Sequence, residues 1–336
     1  MKILIDFHHP TLWESYNLTF VDRMGWDIYR PLGMEYYQKG YWRHEHFWAG
    51  DQFAKMFLPH KETDVLRDGY YERADPNNLG RTFKMVTVDQ SYDIGFDWVI
   101  SSVPGNQLGF AQLAGRLGAK AGVQIGNNEH TLAWDLAELV LDSTSTHRAP
   151  VGHESKHIVY DQEIDMSLYG RDYYVPPDKG PISSLLLVWH NDAAGLQFFK
   201  DVSNEFPEER FMLYGQSGKE LFSNTQVATE MAKSSAIWHT KKIGDGWGHT
   251  VHSAAAMGKP IISNNSYYVG QKAYRILDGN AGVLDISNLD KHGVVQRIRR
   301  IDEDGMWMFM GELNRKRFND VVDYDRDAKR IGEAMS

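Results

Sequence analysis

Short, unbroken apolar runs recur along the chain, with space for a helix between each pair. "KILIDF" (2–7), "DWVISSV" (97–103), "AGVQIG" (121–126) and "LAELVLDS" (136–143) are of this kind. Strands of a parallel sheet are covered on both faces, so they read as continuous apolar runs rather than as alternation. The segment "NQLGFAQLAGRLG" (106–118) instead spaces its apolar residues three and four apart, the period of a helix with one buried face. Strand and helix in alternation predict an α/β, doubly wound sheet. Residues 10–60 break this rhythm. They are dense in Trp, Tyr and His, and predict one helix after the first strand, then an irregular aromatic segment facing a cleft.

Composition shifts at residues 165–182, "DMSLYGRDYYVPPDKGPI", where a Pro-Pro pair and two glycines suit a linker. A second series starts at once. "SSLLLVWH" (183–190), "RFMLYG" (210–215), "SAIWHT" (235–240), "PIIS" (260–263) and "AGVLDI" (281–286) read as strands. Residues 192–206, 226–234, 268–279 and 289–301 read as the helices between and after them. The expected plan is two Rossmann-like domains facing a central cleft, 1–170 and 171–311. A tail helix, 312–336, crosses back to the first domain.

Composition adds limits. A chain of 336 residues is long for one domain and fits two. With 45 acidic against 36 basic side chains the formal net charge is −9, which opposes a general nucleic-acid coat. There is no cysteine, hence no disulfide framework and no cysteine-based zinc site. The N-terminal apolar run is broken by Asp6, so it reads as a strand rather than a signal peptide. No apolar run approaches the roughly 18 residues of a membrane span. A cytoplasmic, soluble protein is the expectation. The acid runs "DQEID" (161–165) and "DYDRD" (323–327) read as solvated.

The chemistry concentrates in "KKIGDGWGHTVHSAAAMGKPIIS" (241–263). A strand ends before Lys241, and a helix begins near Trp247 or Gly248. Gly258 stops that helix and Pro260 opens the next strand. In open α/β sheets ligands sit beyond the carboxyl ends of the strands. A helix start offers unsatisfied N–H groups and a positive dipole end, which suit phosphate. Gly244, Gly246 and Gly248 let backbone approach a ligand closely. Lys241, Lys242 and His249 can neutralise a diphosphate, and Asp245 can accept from hydroxyls. Thr250 and Ser253 lie on the same helix. Glycines alone fit a tight capped turn; the polar residues beside them point to a ligand site.

Other loops fall at strand ends. "DFHHP" places His8 and His9 there, either as a structural pair or at a ligand-facing edge. Two adjacent histidines do not make a metal site without further ligands. "QIGNNEH" places Glu129 and His130, either as a general base for a hydroxyl or within a polar helix cap. "SSVPGNQ" brings Gly105 and Asn106. "VWHND" and "YGQSGKE" bring His190, Asn191, Gly215, Gln216 and Lys219. "SYYVGQKAY" brings Tyr268, Gln271 and Lys272, for ligand contact or for packing.

"DGWGHTVHSAAAMGKPII" resembles the donor-site motif of glycosyltransferases with the GT-B fold. Their pattern is an acid, Gly-aromatic-Gly, a helix with a second acid, a small-residue run, then Gly and Pro. The match is especially similar to the branch with His directly after Gly-aromatic-Gly, phage-type enzymes being among the candidates. Asp245, Gly246, Trp247, Gly248, His249, Gly258 and Pro260 match in register. Ser253 stands where the second, ribose-binding acid is usual. The resemblance implies an acceptor-side first domain and a nucleotide-sugar-binding second domain. It implies a UDP- or GDP-sugar as co-substrate, with no permanently bound cofactor and no metal. His130 resembles the histidine that touches the transferred sugar, and the loop with His9 would face the acceptor. His190, Gly215, Gln216, Lys219, Tyr268 and Lys272 would line the nucleotide or sugar. The Arg and Lys pair common near the start of the second half is absent, so Lys219, Lys241 or Lys242 must take that role.

Three functions stay open on this reading. The first is a glycosyltransferase acting on a glycan or small-molecule hydroxyl. The second is a phage-type enzyme that glycosylates hydroxymethylated bases in DNA, with residues 10–60 holding a flipped base. The third is a nucleotide-sugar epimerase or a non-catalytic binding protein.

Overall fold

The computed structural model describes the chain except for residues 7–9, 33–60, 76–79, 127–131, 171–179, 186–191, 216–217, 222 and 243–245. Two compact units form. Met1–Glu163 and Tyr324–Ser336 make the first, and Ile164–Asp323 the second.

The first unit is built on a nine-stranded sheet ordered β3-β4-β5-β2-β1-β6-β7-β8-β9. Its strands are β1 (Lys2–Ile5), β2 (Asp27–Pro31), β3 (Val65–Leu66), β4 (Tyr71–Ala74), β5 (Thr82–Val86), β6 (Trp98–Ser101), β7 (Lys120–Ile125), β8 (Leu139–Asp142) and β9 (His157–Val159). All pairings from β5 to β9 are parallel, and β3 and β4 add an antiparallel edge. The expected apolar runs supply β1, β6, β7 and β8. Strands β2, β4, β5 and β9 carry too many polar residues to read that way. Arg30 in β2 shows why. It is buried, with its guanidinium over the rings of Trp13 and Phe83, so an apolar environment is built around a cation.

Helix α1 (Pro10–Tyr16) runs on as a wide π turn over Asn17–Arg23. Helix α2 (Val88–Ile94) starts in a capping box: the Gln90 N–H donates to Thr87 Oγ1 and the Thr87 N–H donates to Gln90 Oε1. Helix α3 (Gln107–Leu117) covers one face through Phe110, Leu113 and Ala114.

The second unit holds a five-stranded, all-parallel sheet ordered β11-β10-β12-β13-β14. Its strands are β10 (Ile182–Ser184), β11 (Phe211–Leu213), β12 (Ala236–Trp238), β13 (Ile261–Ser263) and β14 (Val283–Asp285). Around it lie α4 (Met166–Tyr169), α5 (Ala193–Ser203), α6 (Asn224–Lys233), α7 (His249–Ala256), α8 (Tyr274–Leu277), α9 (Lys291–Asp304) and α10 (Trp307–Val321). Asp192, Ser223 and Asp290 cap α5, α6 and α9, each accepting from a backbone N–H three residues on. The core packs Phe199, Phe211, Trp238, Val294, Ile298 and Trp307 together. The segment 268–279, expected as one helix, instead forms a 3-10 turn (Asn265–Tyr268) and the single turn of α8. Gly270, at φ +81°, interrupts it.

The last helix, α11 (Tyr324–Met335), belongs to the first unit. Ile331 and Met335 enter the core beside Ile3, Trp98 and Tyr160, and Trp98 Nε1 donates to the Met335 carbonyl at 3.0 Å. Here the reading of the two acid runs as solvated is corrected. Asp161, Glu163 and Asp327 are all buried. The Asp161 N–H donates to Asp327 Oδ2 at 2.8 Å, and Arg23 pairs with both Glu163 and Asp325. The acids are held by partners distant in sequence, which no local pattern reveals.

Candidate functional site

In the second unit the strand order reverses at β10, whose neighbours are β11 on one side and β12 on the other. The carboxyl ends of β10 and β12 therefore flank the switch point, where open α/β sheets bind ligands. The loop after β12 leads from this point into α7.

The loop is anchored from below. The Lys241 N–H donates to the Tyr268 hydroxyl at 3.1 Å, and Tyr268 is wholly buried. Lys241 is half-buried and Lys242 exposed. Gly246 and Gly248 take φ of +54° and +81°, the left-handed region that side chains resist. Gly248 is the N-cap of α7 and offers no side-chain cap. The first N–H groups of a helix have no intrahelical acceptor, so this end of α7 is suited to an anion.

Trp247, between the two glycines, is buried and stacks on His252 with centroids 3.9 Å apart and planes 13° apart. His249, the first residue of α7, meets Trp247 edge-on at 5.7 Å and the ring of Tyr169 in α4 at 6.2 Å. Its Nδ1 lies 3.3 Å from Ser253 Oγ. Ser253 is only 1% exposed. Position 253 is thus a buried hydroxyl set against the His249 imidazole.

The far end of α7 is fixed by buried cations. Arg315 Nη2 donates to the Met257 carbonyl at 2.8 Å. Lys259 is buried, and its Nζ donates to the carbonyls of Ala232 (2.6 Å) and Ser234 (2.9 Å), closing the end of α6. Burial, with Arg315 nearby as a second cause, pushes the Lys259 ammonium down to about 7. Asn314 Nδ2 donates to the Lys259 and Gly282 carbonyls at 2.8 and 2.9 Å, tying α10 to β13 and β14.

The structure thus brings Lys241, Lys242, Gly246, Trp247, Gly248, His249, Thr250 and Ser253 to one strand-to-helix turn. Tyr268 lies beneath that turn, and Lys272 is buried. Gly215, at φ +84°, and Lys219 stand at the end of β11, on the other side of β10. His9, Glu129, His130, His190, Gln216 and Asp245 lie outside the described residues. Tyr169, Arg275 and Arg315 escaped sequence reasoning, because each acts from another helix at long sequence separation. For Arg315 the Gly-Lys-Pro stop signal marks the place it caps but not the cap.

The first unit has a polar rim of its own. At the end of β1, beside β6, Asp6 is buried. It accepts from the Ser102 N–H (2.5 Å), Ser102 Oγ (3.0 Å), Asn106 Nδ2 (3.1 Å) and Ser101 Oγ (3.2 Å). Burial pushes its carboxyl up to about 6 against these four bonds. At the end of β8, Asp142 meets His157 Nε2 at 3.1 Å and accepts from Thr144 Oγ1 at 2.8 Å; Thr144 Oγ1 lies 3.1 Å from His147 Nδ1. Burial opposes ionisation of Asp142, but these partners outweigh it and hold its carboxyl below the usual range. Among the described residues no group of three His, Asp or Glu side chains has the geometry to hold a metal ion.

The chain has the GT-B glycosyltransferase fold, as solved structures similar to it over nearly its whole length show. Anabaena HepE in complex with UDP-glucose is 12% identical, with a TM-score of 0.62 over 99% of this chain and 98% of that one. A glycosyltransferase from Rickettsia africae is 10% identical, with a TM-score of 0.62 over 99% and 97%. Sucrose-phosphate synthase from Thermosynechococcus elongatus is 10% identical, with a TM-score of 0.61 over 99% and 97%. No protein-family model matches the chain, and no curated protein matches its sequence. Among the described residues no helix is long and apolar enough to cross a membrane.

Proposed function

We propose that this chain is a glycosyltransferase that moves a sugar, a hexose or pentose, from a nucleoside-diphosphate donor to an acceptor hydroxyl. One observation carries the reading. A helix N-terminus whose N-cap is a glycine, opened by two left-handed glycines and flanked by Lys241, Lys242 and His249, sits beside the switch point of an all-parallel sheet. The HepE structures with UDP and with UDP-glucose support a donor of this class on this fold.

In the proposed reaction the bond between the anomeric carbon and the diphosphate oxygen breaks, and a bond from that carbon to the acceptor oxygen forms. The negative charge that develops on the diphosphate meets the α7 N-terminus, His249 and the two lysines. Charge stabilisation by fixed dipoles and cations is the main catalytic contribution expected of such a site. These protein groups supply it without a metal ion. The acceptor proton passes to a base of the first unit, for which Glu129, His130 and His9 are the candidates. The first unit then serves the acceptor and the second the donor. A net charge of −9 favours a glycan or small-molecule acceptor over DNA.

Isothermal titration of the full chain with UDP and GDP tests the donor site. Binding of at least one is expected, and binding of neither would remove the reading. Product analysis with and without added acceptor separates transfer from epimerisation. A duplex-DNA gel shift at low salt tests the modified-DNA alternative.

A further inference from the structure

His252 has no part in the proposed reaction, yet it is wholly buried behind the candidate donor turn. Its two ring nitrogens face partners of fixed character. Nδ1 lies 3.0 Å from the Gly248 carbonyl, which can only accept, so Nδ1 carries the proton. Nε2 lies 3.5 Å from Arg275 Nη2, which can only donate, so Nε2 holds its lone pair. Together they select the neutral Nδ1–H tautomer. The ring face is taken by Trp247 at 3.9 Å. Arg275 is itself held, donating through Nη1 to the Val321 carbonyl at 3.1 Å, and Arg317 Nε donates to the Arg275 carbonyl at 2.7 Å.

We propose that His252 is a positioning residue for the donor turn. One ring face clamps the Trp247 side chain while one N–H clamps the Gly248 carbonyl. Two adjacent residues of a glycine-rich turn are thereby held by a single group projecting from the helix that the turn opens. Gly246 and Gly248 contribute no side chains with which to hold themselves, and glycine loses the most conformational freedom on ordering. Fixing the turn before ligand arrives removes that entropic cost from binding. His252 does not touch the ligand; it acts through the backbone of residues 246–248. The consequence for ligand affinity rests on the donor-site reading, whereas the consequence for the turn does not.

Two variants divide the two clamps. His252→Asn keeps an N–H donor near the Nδ1 position and loses the ring. His252→Phe keeps a ring and loses the donor. Amide hydrogen exchange at residues 246–250, measured without nucleotide, is expected to speed up about tenfold in each, the loss of roughly one hydrogen bond or stack. UDP affinity is expected to fall by a similar factor, with His252→Asn weaker than wild type but above His252→Ala. Nitrogen-15 histidine spectra of the wild-type chain need no variant to fold, and the Nδ1–H tautomer is expected at His252. An Nε2–H tautomer there, or unchanged exchange at 246–250 in both variants, overturns the proposal. Failure of the wild-type chain to bind any nucleoside diphosphate would instead remove the donor-site reading and leave the exchange result to decide this one.

Discussion

Ser253 stands one turn beyond His249 on α7, its hydroxyl 3.3 Å from the imidazole Nδ1. The serine therefore acts on the histidine rather than on solvent. Ser253→Ala should lower nucleotide affinity about fivefold, the weight of one weak hydrogen bond, with little change in the urea midpoint. Ser253→Glu would force a carboxylate into a site that is 1% exposed, and should cost roughly 3 kcal/mol of stability. Titration calorimetry and urea denaturation read the two effects separately. A Glu variant as stable as wild type would contradict the burial.

Lys242 is exposed at the mouth of the turn. A cation that meets phosphate carries no base information. Lys242→Ala should weaken UDP, GDP and ADP by similar factors, with a shallower salt dependence than wild type. A base-selective loss, measured by calorimetry at two ionic strengths, would move this lysine away from the diphosphate.

Gly258 takes φ +71°, and a Cβ there would come within 2.9 Å of Arg315 Nη2. Gly258→Ala combines backbone strain with displacement of the cation that caps α7, and should destabilise by about 2–4 kcal/mol. Gly279 is the control. It has φ +60° but open space around it, so Gly279→Ala should cost only about 1 kcal/mol. Equal losses in urea unfolding would show that the Arg315 contact carries no weight.

Burial pushes the Lys259 ammonium from the ordinary lysine value of 10.5 down to about 7 in the folded chain. Between these values the unfolded chain binds the extra proton, so this group makes stability rise with pH. The slope approaches about 1.4 kcal/mol per pH unit at most. Below pH 7 both states carry the charge, and burial of the ammonium is a standing cost. Lys259→Met should abolish the difference in urea midpoint between pH 7 and pH 9 that this lysine adds. An unaltered pH dependence would show that the ammonium stays charged on its two carbonyls throughout.

Arg23 is bidentate on Glu163 and also pairs with Asp325, with 30% of its side chain exposed. Arg23→Met should destabilise the first unit by about 1–3 kcal/mol, a partly buried pair being worth less than a fully buried one. Amide exchange in residues 324–335 should rise with it. Unchanged protection there would detach Arg23 from the docking of α11.

The apolar runs located the strands of the second unit because β10, β12 and β13 are wholly buried and uncharged, while β11 and β14 still bury at least one apolar residue each. They missed β2 and β5, where Arg30 and Lys84 interrupt the pattern and are accommodated by Trp13, Phe83, Tyr29 and Asp27. The strand-to-helix turn at Gly-Trp-Gly-His was legible because its glycines and the Gly258–Pro260 stop mark where the backbone must leave strand and helix geometry. Its supports were not. Tyr169 and Arg275 reach His249 and His252 across tens of residues, Arg315 holds the far end of α7 from α10, and Ser253 and His252 read as ordinary helix positions until the direction of each side chain is known. The acid runs misread as solvated failed for the same reason, since their cations and N–H donors lie far away in the chain.

The first unit is discontinuous: its core includes Ile331 and Met335, and Trp98 bonds to the Met335 carbonyl. During synthesis β1 emerges before any of the second unit, yet the hydrophobic surface that α11 covers must wait until residues 324–335 have left the ribosome. The second unit, an uninterrupted stretch from 164 to 323, is complete before then. Vectorial synthesis therefore reverses the order of the chain: the unit translated later can finish folding earlier, and the one begun first is sealed last.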